Sequence, residues 1–226
     1  MTSVASPSSE APVRPELGLV PPDGRIVLPN ISWETYEALL RDLESSNTRL
    51  TYDQGELEIM SPSLKHGKIG MLLGRMIELL TFELNIPIVG LANTTWRSRE
   101  LAKGCEADEC YYVARAAWAA SREEIDLAVD PPPDLAIEVD ITSGSVDKLA
   151  IYAALKVPEV WRYEEPTLFL HHLQPSGVYE ARPRSLSLPM VDPHVLESFI
   201  QRRNAADDTK LMREFQEWVR QSLLTK

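Results

Sequence analysis

Apolar residues recur at helical spacing in two segments of the N-terminal half of the chain. In the first segment Ser32 is a suitable N-cap, and the apolar residues that then fall on one helical face are Trp33, Tyr36, Leu39, Leu40 and Leu43. In the second segment, from about Leu64 to Leu84, an apolar stripe is formed by Ile69, Leu72, Leu73, Met76, Ile77 and Leu80. The pattern therefore predicts two amphipathic helices, of which the second is the longest helix of the core.

Other segments alternate with period two, which is typical of strands. The segment TRLTYDQGELEIMSP predicts a hairpin that turns at Gln54-Gly55, with Leu57 and Ile59 on one face and Glu56 and Glu58 on the other. Further strands are predicted over residues 86–92, 94–98, 110–114, 157–163 and 167–172. This mixture of strands and helices predicts the α/β class.

The segment DLAIEVDIT is largely apolar, as is typical of a strand that is buried on both faces in an α/β sheet. A helix is predicted to follow it over about residues 146–155. Before it, Ser121 and Glu124 have the spacing of a capping box and predict a short surface helix that ends before Pro131. Glu138 is then an acidic residue in an otherwise apolar strand.

The two ends of the chain differ from its middle in composition. Residues 1–24 contain several prolines among Ser, Ala and Glu, and we expect a disordered tail followed by a main domain over 25–192. Residues 193–226 are expected to form a C-terminal helical extension. Its amphipathic face contains Leu211, Phe215, Trp218, Val219 and Leu223, and it docks either on the core or on a second subunit.

Composition limits the class of protein. A chain of 226 residues with 44% hydrophobic and 25% charged residues suits one main domain with a sizeable core. Neither an apolar run of about 20 residues nor a signal peptide is present, so we expect a cytoplasmic protein without a membrane partner. Cys105 and Cys110 are expected to be free and buried. The net charge of -11 argues against a protein that coats nucleic acid nonspecifically.

Three charged residues form the candidate site. Asp108 precedes one predicted strand, Glu138 lies in the buried strand, and Lys148 is near the start of the next helix. A buried carboxylate requires a cation or hydrogen-bond donors, and two carboxylates supply the hard oxygen ligands that Mg²⁺ prefers. A nearby lysine can orient or deprotonate the attacking water and offset negative charge on a phosphate. The combination indicates phosphodiester hydrolysis.

At this point the sequence resembles the Uma family of restriction-endonuclease-like proteins, within the PD-(D/E)XK nuclease superfamily. The matching motifs occur in order and extend from about Ser32 to Tyr163: GELEIMSPS with His66 following, CEADECYYV, and DLAIEVDITSGSVDKLAIYAALKVPEVWRY. The resemblance implies a restriction-endonuclease-like mixed central sheet flanked by helices, a Mg²⁺-type site and a nuclease activity.

The resemblance also implies roles for individual residues. Asp108 takes the place of the PD aspartate, after Ala107 instead of proline, and Glu138 takes the place of the (D/E)XK acid. Asp140 stands where the superfamily has its lysine, and Lys148 on the next helix is the substitute. Glu56 and His66 occupy accessory positions near the site. For Asp140 two interpretations stay open: a further metal ligand, or the partner of an arginine or helix N-terminus.

The leading functional hypothesis is a Mg²⁺-dependent endonuclease that acts on DNA as a homodimer, with Mn²⁺ as a substitute ion and Asp108 and Glu138 as the metal ligands. The alternative is a catalytically weak or inactive nuclease-like module that binds nucleic acid or a protein partner. Between the two lysines near the site, Lys148 is predicted to be catalytic. Lys156, eight residues further along the chain, is predicted to stabilise the C-terminal end of the helix and to have no catalytic role.

Overall fold

The structure is a computed structural model, which describes residues 23–91, 94–141 and 146–224. The tail predicted over residues 1–24 lies outside the described residues, except for its last two. In the described part of the chain, α-helices pack around two β-sheets, which confirms the predicted mixed α/β class.

The strands of the described residues form a five-stranded and a six-stranded sheet. In chain order they are β1 (Arg25–Leu28), β2 (Arg49–Asp53), β3 (Glu56–Met60), β4 (Val89–Gly90), β5 (Thr95–Ser98), β6 (Lys103–Glu106), β7 (Glu109–Tyr112), β8 (Leu135–Asp140), β9 (Glu159–Glu164), β10 (Thr167–Leu173) and β11 (Tyr179–Arg182). The five-stranded sheet has the order β1-β3-β2-β6-β5, and all its pairs are antiparallel. The six-stranded sheet has the order β11-β10-β9-β8-β7-β4 and is mixed, because β8 and β9 are parallel.

The helices cover both faces of the six-stranded sheet. They are α1 (Trp33–Asp42), α2 (Leu64–Glu83), α3 (Ala116–Ala119), α4 (Lys148–Ala154), α5 (Pro193–Gln201) and α6 (Asp208–Val219), followed by a π-helical turn over Arg220–Leu224. Helices α2, α5 and α6 share one apolar core with Leu135, Ile137 and Val139 of β8. Helix α4 packs with Ala136 on the opposite face. Since strand side chains alternate, Glu138 and Asp140 face α4.

The predicted N-terminal hairpin and helices are confirmed. Gln54 and Gly55 join β2 to β3 with φ angles of 48° and 100°, and two positive φ values are typical of a type I′ turn. The Ser32 side chain accepts a hydrogen bond from the Thr35 N–H and caps α1, which packs on the five-stranded sheet through Trp33 and Tyr36. All six residues of the stripe predicted for α2 are buried.

Two predictions for the middle of the chain are wrong. No helix begins at the Ser121–Glu124 capping box; the short helix is α3, just before it, and the Ser121 hydroxyl donates to the carbonyl oxygen of Trp118 at its end. The strand predicted over residues 86–92 ends outside the described residues at position 92; within residues 86–91 it is confined to β4, and the Ile86 N–H still donates to Thr81 at the end of α2. In addition, β6 was not predicted.

The C-terminal helices dock on the core of the same chain. Leu211, Phe215 and Val219 of α6 are fully buried in the core that α2 shares. Of the two predicted alternatives, docking on the core is therefore the one that the structure shows. The ring of Phe215 packs edge-on against Phe199 of α5 at 5.2 Å between centroids. In the described part of the chain, no helix is both long and apolar enough to cross a lipid bilayer.

Candidate active site

Asp108 is positioned by an irregularity in β7. Its N–H donates to the carbonyl oxygen of Ile137, 3.2 Å away, and Glu109 is the residue that faces Ile137 in the regular register. Two consecutive residues thus oppose one residue of β8, which is the arrangement of a β-bulge. Both carboxylates consequently turn toward α2, with the Asp108 side chain next to Gly70 and the Glu109 side chain next to Gly74.

The Asp108 carboxylate is buried, and both of its oxygens have partners. Oδ1 lies 2.8 Å from Nε2 of His66, and Oδ2 accepts a hydrogen bond of 2.8 Å from the Val139 N–H. Nε of Arg49 lies 4.0 Å from Oδ1. Burial acts to raise the pKa of Asp108, but His66, the ammonium of Lys148 and the Val139 amide together hold that pKa below its ordinary value. Asp108 is therefore kept ionised.

Glu138 is 2% exposed, and both of its oxygens are bound by α4. Nζ of Lys148 lies 2.6 Å from Oε2, while the hydroxyl of Tyr152 donates to Oε1. The N-cap of α4 is Asp147, whose side chain accepts from the Ala150 N–H, so Lys148 is the first residue of the helix. The predicted proximity of Lys148 to Glu138 is thus present in the structure.

Burial dominates the electrostatics of this carboxylate. It raises the pKa of Glu138 to about 7; Lys148 opposes the rise and the negative charge of Asp108 adds to it. Burial acts to lower the pKa of Lys148, but the attraction of Glu138 and Asp108 outweighs it and holds the pKa above its ordinary value. The site therefore consists of two buried carboxyl groups beside one lysine that is kept protonated.

Asp140 is held by arginines from two other strands. Oδ1 accepts from Arg25 of β1 at 3.1 Å, and Oδ2 accepts from Arg162 of β9 at 2.7 Å. Of the two interpretations that the sequence left open, the geometry supports the partner of an arginine. Positive charge next to the β8 strand is thus supplied by side chains of other elements.

The two accessory candidates have different environments. His66 is 3% exposed at the start of α2 and contacts Asp108 directly. Glu56 is exposed beside the hairpin turn, whereas Glu58, two residues further along β3, is 1% exposed and binds Arg25 at 2.6 Å. The structure therefore brings His66 to the site, and Glu58 rather than Glu56 joins the network around Asp140.

Neither Arg49 nor Tyr152 was identified from the sequence as a residue of the site. Arg49 is the first residue of β2, and its neighbourhood depends on the pairing of distant strands, for which the local pattern carries no signal. Tyr152 had a detectable signal, because it lies four residues after Lys148 and such a spacing places both side chains on one helical face.

Two cavities adjoin the site. One of about 360 Å³ is lined by Glu138 and Lys148 together with Arg25, Asp140, Val146, Asp147, Leu149 and Arg162. The other, of about 750 Å³, contains neither Asp108 nor Glu138 in its lining but reaches Arg49 and Glu106, which lie 3.4 Å apart. The smaller cavity thus contains Glu138 and Lys148, whereas Asp108 is not among the residues that line it.

The donor set fits a hard divalent cation. No group of three or more His, Cys, Asp or Glu residues that could hold a metal ion occurs within the described ranges. Mg²⁺ is commonly held by only one or two carboxylates, with waters and substrate phosphates as its other ligands. Each carboxylate oxygen of Asp108 and Glu138 has one partner and keeps a second lone pair. These two residues are therefore suitable ligands for Mg²⁺ or Mn²⁺.

A match to a family model agrees with the resemblance seen in the sequence. A solved chain described as "a putative nuclease belonging to DUF820 from Anabaena variabilis" is 17% identical, with a TM-score of 0.44 over 67% of this chain and 90% of that chain. The comparison with curated proteins gave no match. The family model Uma2, described as "Putative restriction endonuclease", matches residues 33–203. Because this match covers well over half of the sequence, the chain belongs to the Uma2 family.

Proposed function

We propose that the protein is a divalent-metal-dependent endonuclease that hydrolyses phosphodiester bonds of DNA. The observation that carries the proposal is the grouping of three charged residues in a chain of a restriction-endonuclease-like family: Lys148 contacts Glu138, and the charge of Asp108 acts on the pKa of both. Two buried carboxylates beside a protonated lysine are an arrangement with little structural benefit, since burying charge is costly. A catalytic role would explain why these charged groups are buried.

Asp108 and Glu138 would hold the ion. Bound Mg²⁺ would neutralise charge on the scissile phosphate and polarise the attacking water. His66 and the Val139 N–H fix the Asp108 carboxylate, and Lys148 fixes one oxygen of Glu138. The ammonium of Lys148 also lines the smaller cavity, where it is placed to offset the negative charge that develops on a phosphate.

The larger cavity provides a route for the nucleic acid. Its lining includes the arginines Arg41, Arg49 and Arg97, the small polar residues Ser46, Asn47, Thr48 and Thr95, and the acidic residues Glu44, Glu106 and Asp126. Arginine and small polar side chains are the groups that bind phosphate oxygens. Arg49 connects this cavity to the site, because its Nε lies 4.0 Å from the Asp108 carboxylate.

Cleavage of both strands of a duplex requires two sites, so a homodimer is part of the proposal. Size-exclusion chromatography with light scattering, in the presence and absence of DNA, tests this part separately. A particle that stays monomeric while it linearises plasmid would contradict it.

The proposal is tested by incubating purified protein with plasmid and Mg²⁺ or Mn²⁺. We expect nicking or linearisation that is abolished by EDTA and by Asp108→Ala or Glu138→Ala. Arg213→Glu, an exposed change on α6, is the control for purification and should cleave normally. If Asp108→Ala cleaves as fast as the wild type, the activity comes from a contaminant.

A second candidate function is a non-catalytic module that binds nucleic acid or a protein partner. It is favoured by Asp140, which stands where the superfamily has its lysine and is bound by two arginines. This alternative predicts DNA binding without cleavage under every metal condition, and an Asp108→Ala variant that binds DNA as the wild type does.

A further inference from the structure

One short helix binds both oxygens of the Glu138 carboxylate. Nζ of Lys148 lies 2.6 Å from Oε2, and the hydroxyl of Tyr152 donates to Oε1. Lys148 and Tyr152 are four residues apart in α4, a spacing that places two side chains on the same helical face. The orientation of the carboxylate plane is therefore fixed at both ends.

The two residues differ in their access to a substrate. Lys148 lines the cavity of about 360 Å³, whereas Tyr152 is 0% exposed and is not among the residues that line it. Tyr152 packs instead among Cys105, Ile151 and Val160 in the apolar core behind the site. Among the candidate site residues in the described part of the chain, the one that its hydroxyl contacts is Glu138.

We propose that Tyr152 is a positioning residue that holds Glu138 in the orientation in which it binds the divalent cation. Without the hydroxyl, Oε1 would be buried without this donor, and the carboxylate could rotate about its last side-chain bond. Hydrogen bonds to a ligating carboxylate orient the ligand before the ion arrives, and their loss commonly lowers metal affinity by roughly 10–100-fold. The proposal rests on the proposed function, because it assigns a role within the same metal site.

The chain offers a matched control at Tyr163. This residue is also 0% exposed, and its hydroxyl has no hydrogen-bond partner within the described residues. It belongs to the core on the α2 side of the sheet, whereas Tyr152 belongs to the core on the α4 side. Tyr163→Phe therefore removes the same buried atom as Tyr152→Phe without touching Glu138.

The experiment measures Mn²⁺ affinity by titration calorimetry on the full chain without DNA. Tyr152→Phe should weaken Mn²⁺ binding by about 10-fold or more, and Tyr163→Phe should change it less than about 2-fold. In cleavage assays at limiting Mn²⁺, Tyr152→Phe should lower kcat while the KM for DNA stays at the wild-type value, since Tyr152 does not reach the cavity. Loss of kcat should be partly recovered at saturating Mn²⁺.

The outcomes separate the two proposals. If the wild type binds Mn²⁺ and Tyr152→Phe binds it equally well, the positioning role is overturned and the proposed function stands. If the wild type binds no Mn²⁺ and cleaves no DNA, both are overturned.

A folding control covers the case in which Tyr152→Phe does not fold. The triple variant Tyr152→Phe/Glu138→Leu/Lys148→Met removes the buried carboxylate together with both of its donors, which is less costly than leaving any one of these groups without its partner. Recovery of a cooperative thermal transition in the triple variant supports the hydroxyl as a group that holds Glu138. Failure of both variants to fold would overturn the proposal in favour of a general packing role.

Discussion

At the scale of single residues, the two lysines around α4 occupy different backbone environments. Lys148 opens the helix and contacts Glu138. Lys156 follows the helix with a φ of 61°, and its N–H and that of Val157 donate to the carbonyl oxygens of Ala153 and Tyr152. This is the hydrogen-bond pattern of a Schellman helix end, where glycine is the preferred residue. The geometry supports the catalytic assignment of Lys148 over Lys156.

Charge-removing variants of these lysines should have different effects on cleavage. Lys148→Met should lower the rate by roughly an order of magnitude or more, because the ammonium that contacts Glu138 is lost. Lys156→Met should change the rate little. Single-turnover plasmid cleavage with both variants in parallel is the measurement, and the reverse order of effects would contradict the assignment.

The same backbone position leads to a prediction about stability. An L-residue in the left-handed region is strained, so Lys156→Gly should raise the free energy of unfolding by about 0.5–1 kcal/mol. Lys156→Ala keeps the Cβ atom and should give no such gain. Urea denaturation of the three proteins measures the difference, and equal midpoints for Gly and Ala variants would show that no strain is relieved.

The two cysteines should be unreactive in the folded protein. Both are buried and free; burial, followed by the negative charge of Glu138, raises the pKa of Cys105 to about 12, and burial raises that of Cys110 to about 12. The thiolate is the nucleophile, so a disulfide reagent at pH 8 should modify neither thiol until denaturant is added. Rapid modification of one thiol in the native state would contradict the described packing.

At the scale of elements, α6 belongs to the core rather than to an appendage. Phe215 is fully buried and contacts Phe199 and Trp218. Phe215→Ala should therefore lower the free energy of unfolding by about 3–5 kcal/mol. Arg220→Ala removes an exposed partner of the largely covered Glu83, which keeps its hydrogen bond from Gln216, and should cost about 1 kcal/mol. The measurement is thermal unfolding of both variants. A single transition in each is expected, because the helix then unfolds together with the sheet.

The elements that could be predicted from the sequence are those whose residues carry their own signal. The stripe of α2 and the acidic Glu138 among the apolar residues of β8 are local patterns, and both were found. Strand β6 has the sequence KGCE, without alternation, and exists because it pairs with β2 and β5. In the same way, Arg25 and Asp140 are 115 residues apart, so only the folded chain shows their contact. Local patterns identified the candidate ligands but not the groups that surround them.

At the scale of the whole molecule, arginines line the larger cavity of a chain whose net charge is -11. If DNA follows this cavity to the site, Arg97→Glu should weaken DNA binding several-fold and reduce the salt dependence of binding, because a phosphate contact is lost. Arg213→Glu changes the net charge equally on α6 and is the matched control. Both should be measured in an Asp108→Ala background to prevent cleavage. Equal weakening by both variants would indicate only a general charge effect.

The two arginines that hold Asp140 also limit which residues can replace it. Arg25 also binds Glu58, and Arg162 also binds Glu164. Asp140→Lys would place a third cation between two guanidinium groups, where like charges repel. If Lys148 supplies the lysine of the site, as proposed, a second lysine at position 140 is therefore disfavoured as long as both arginines are present.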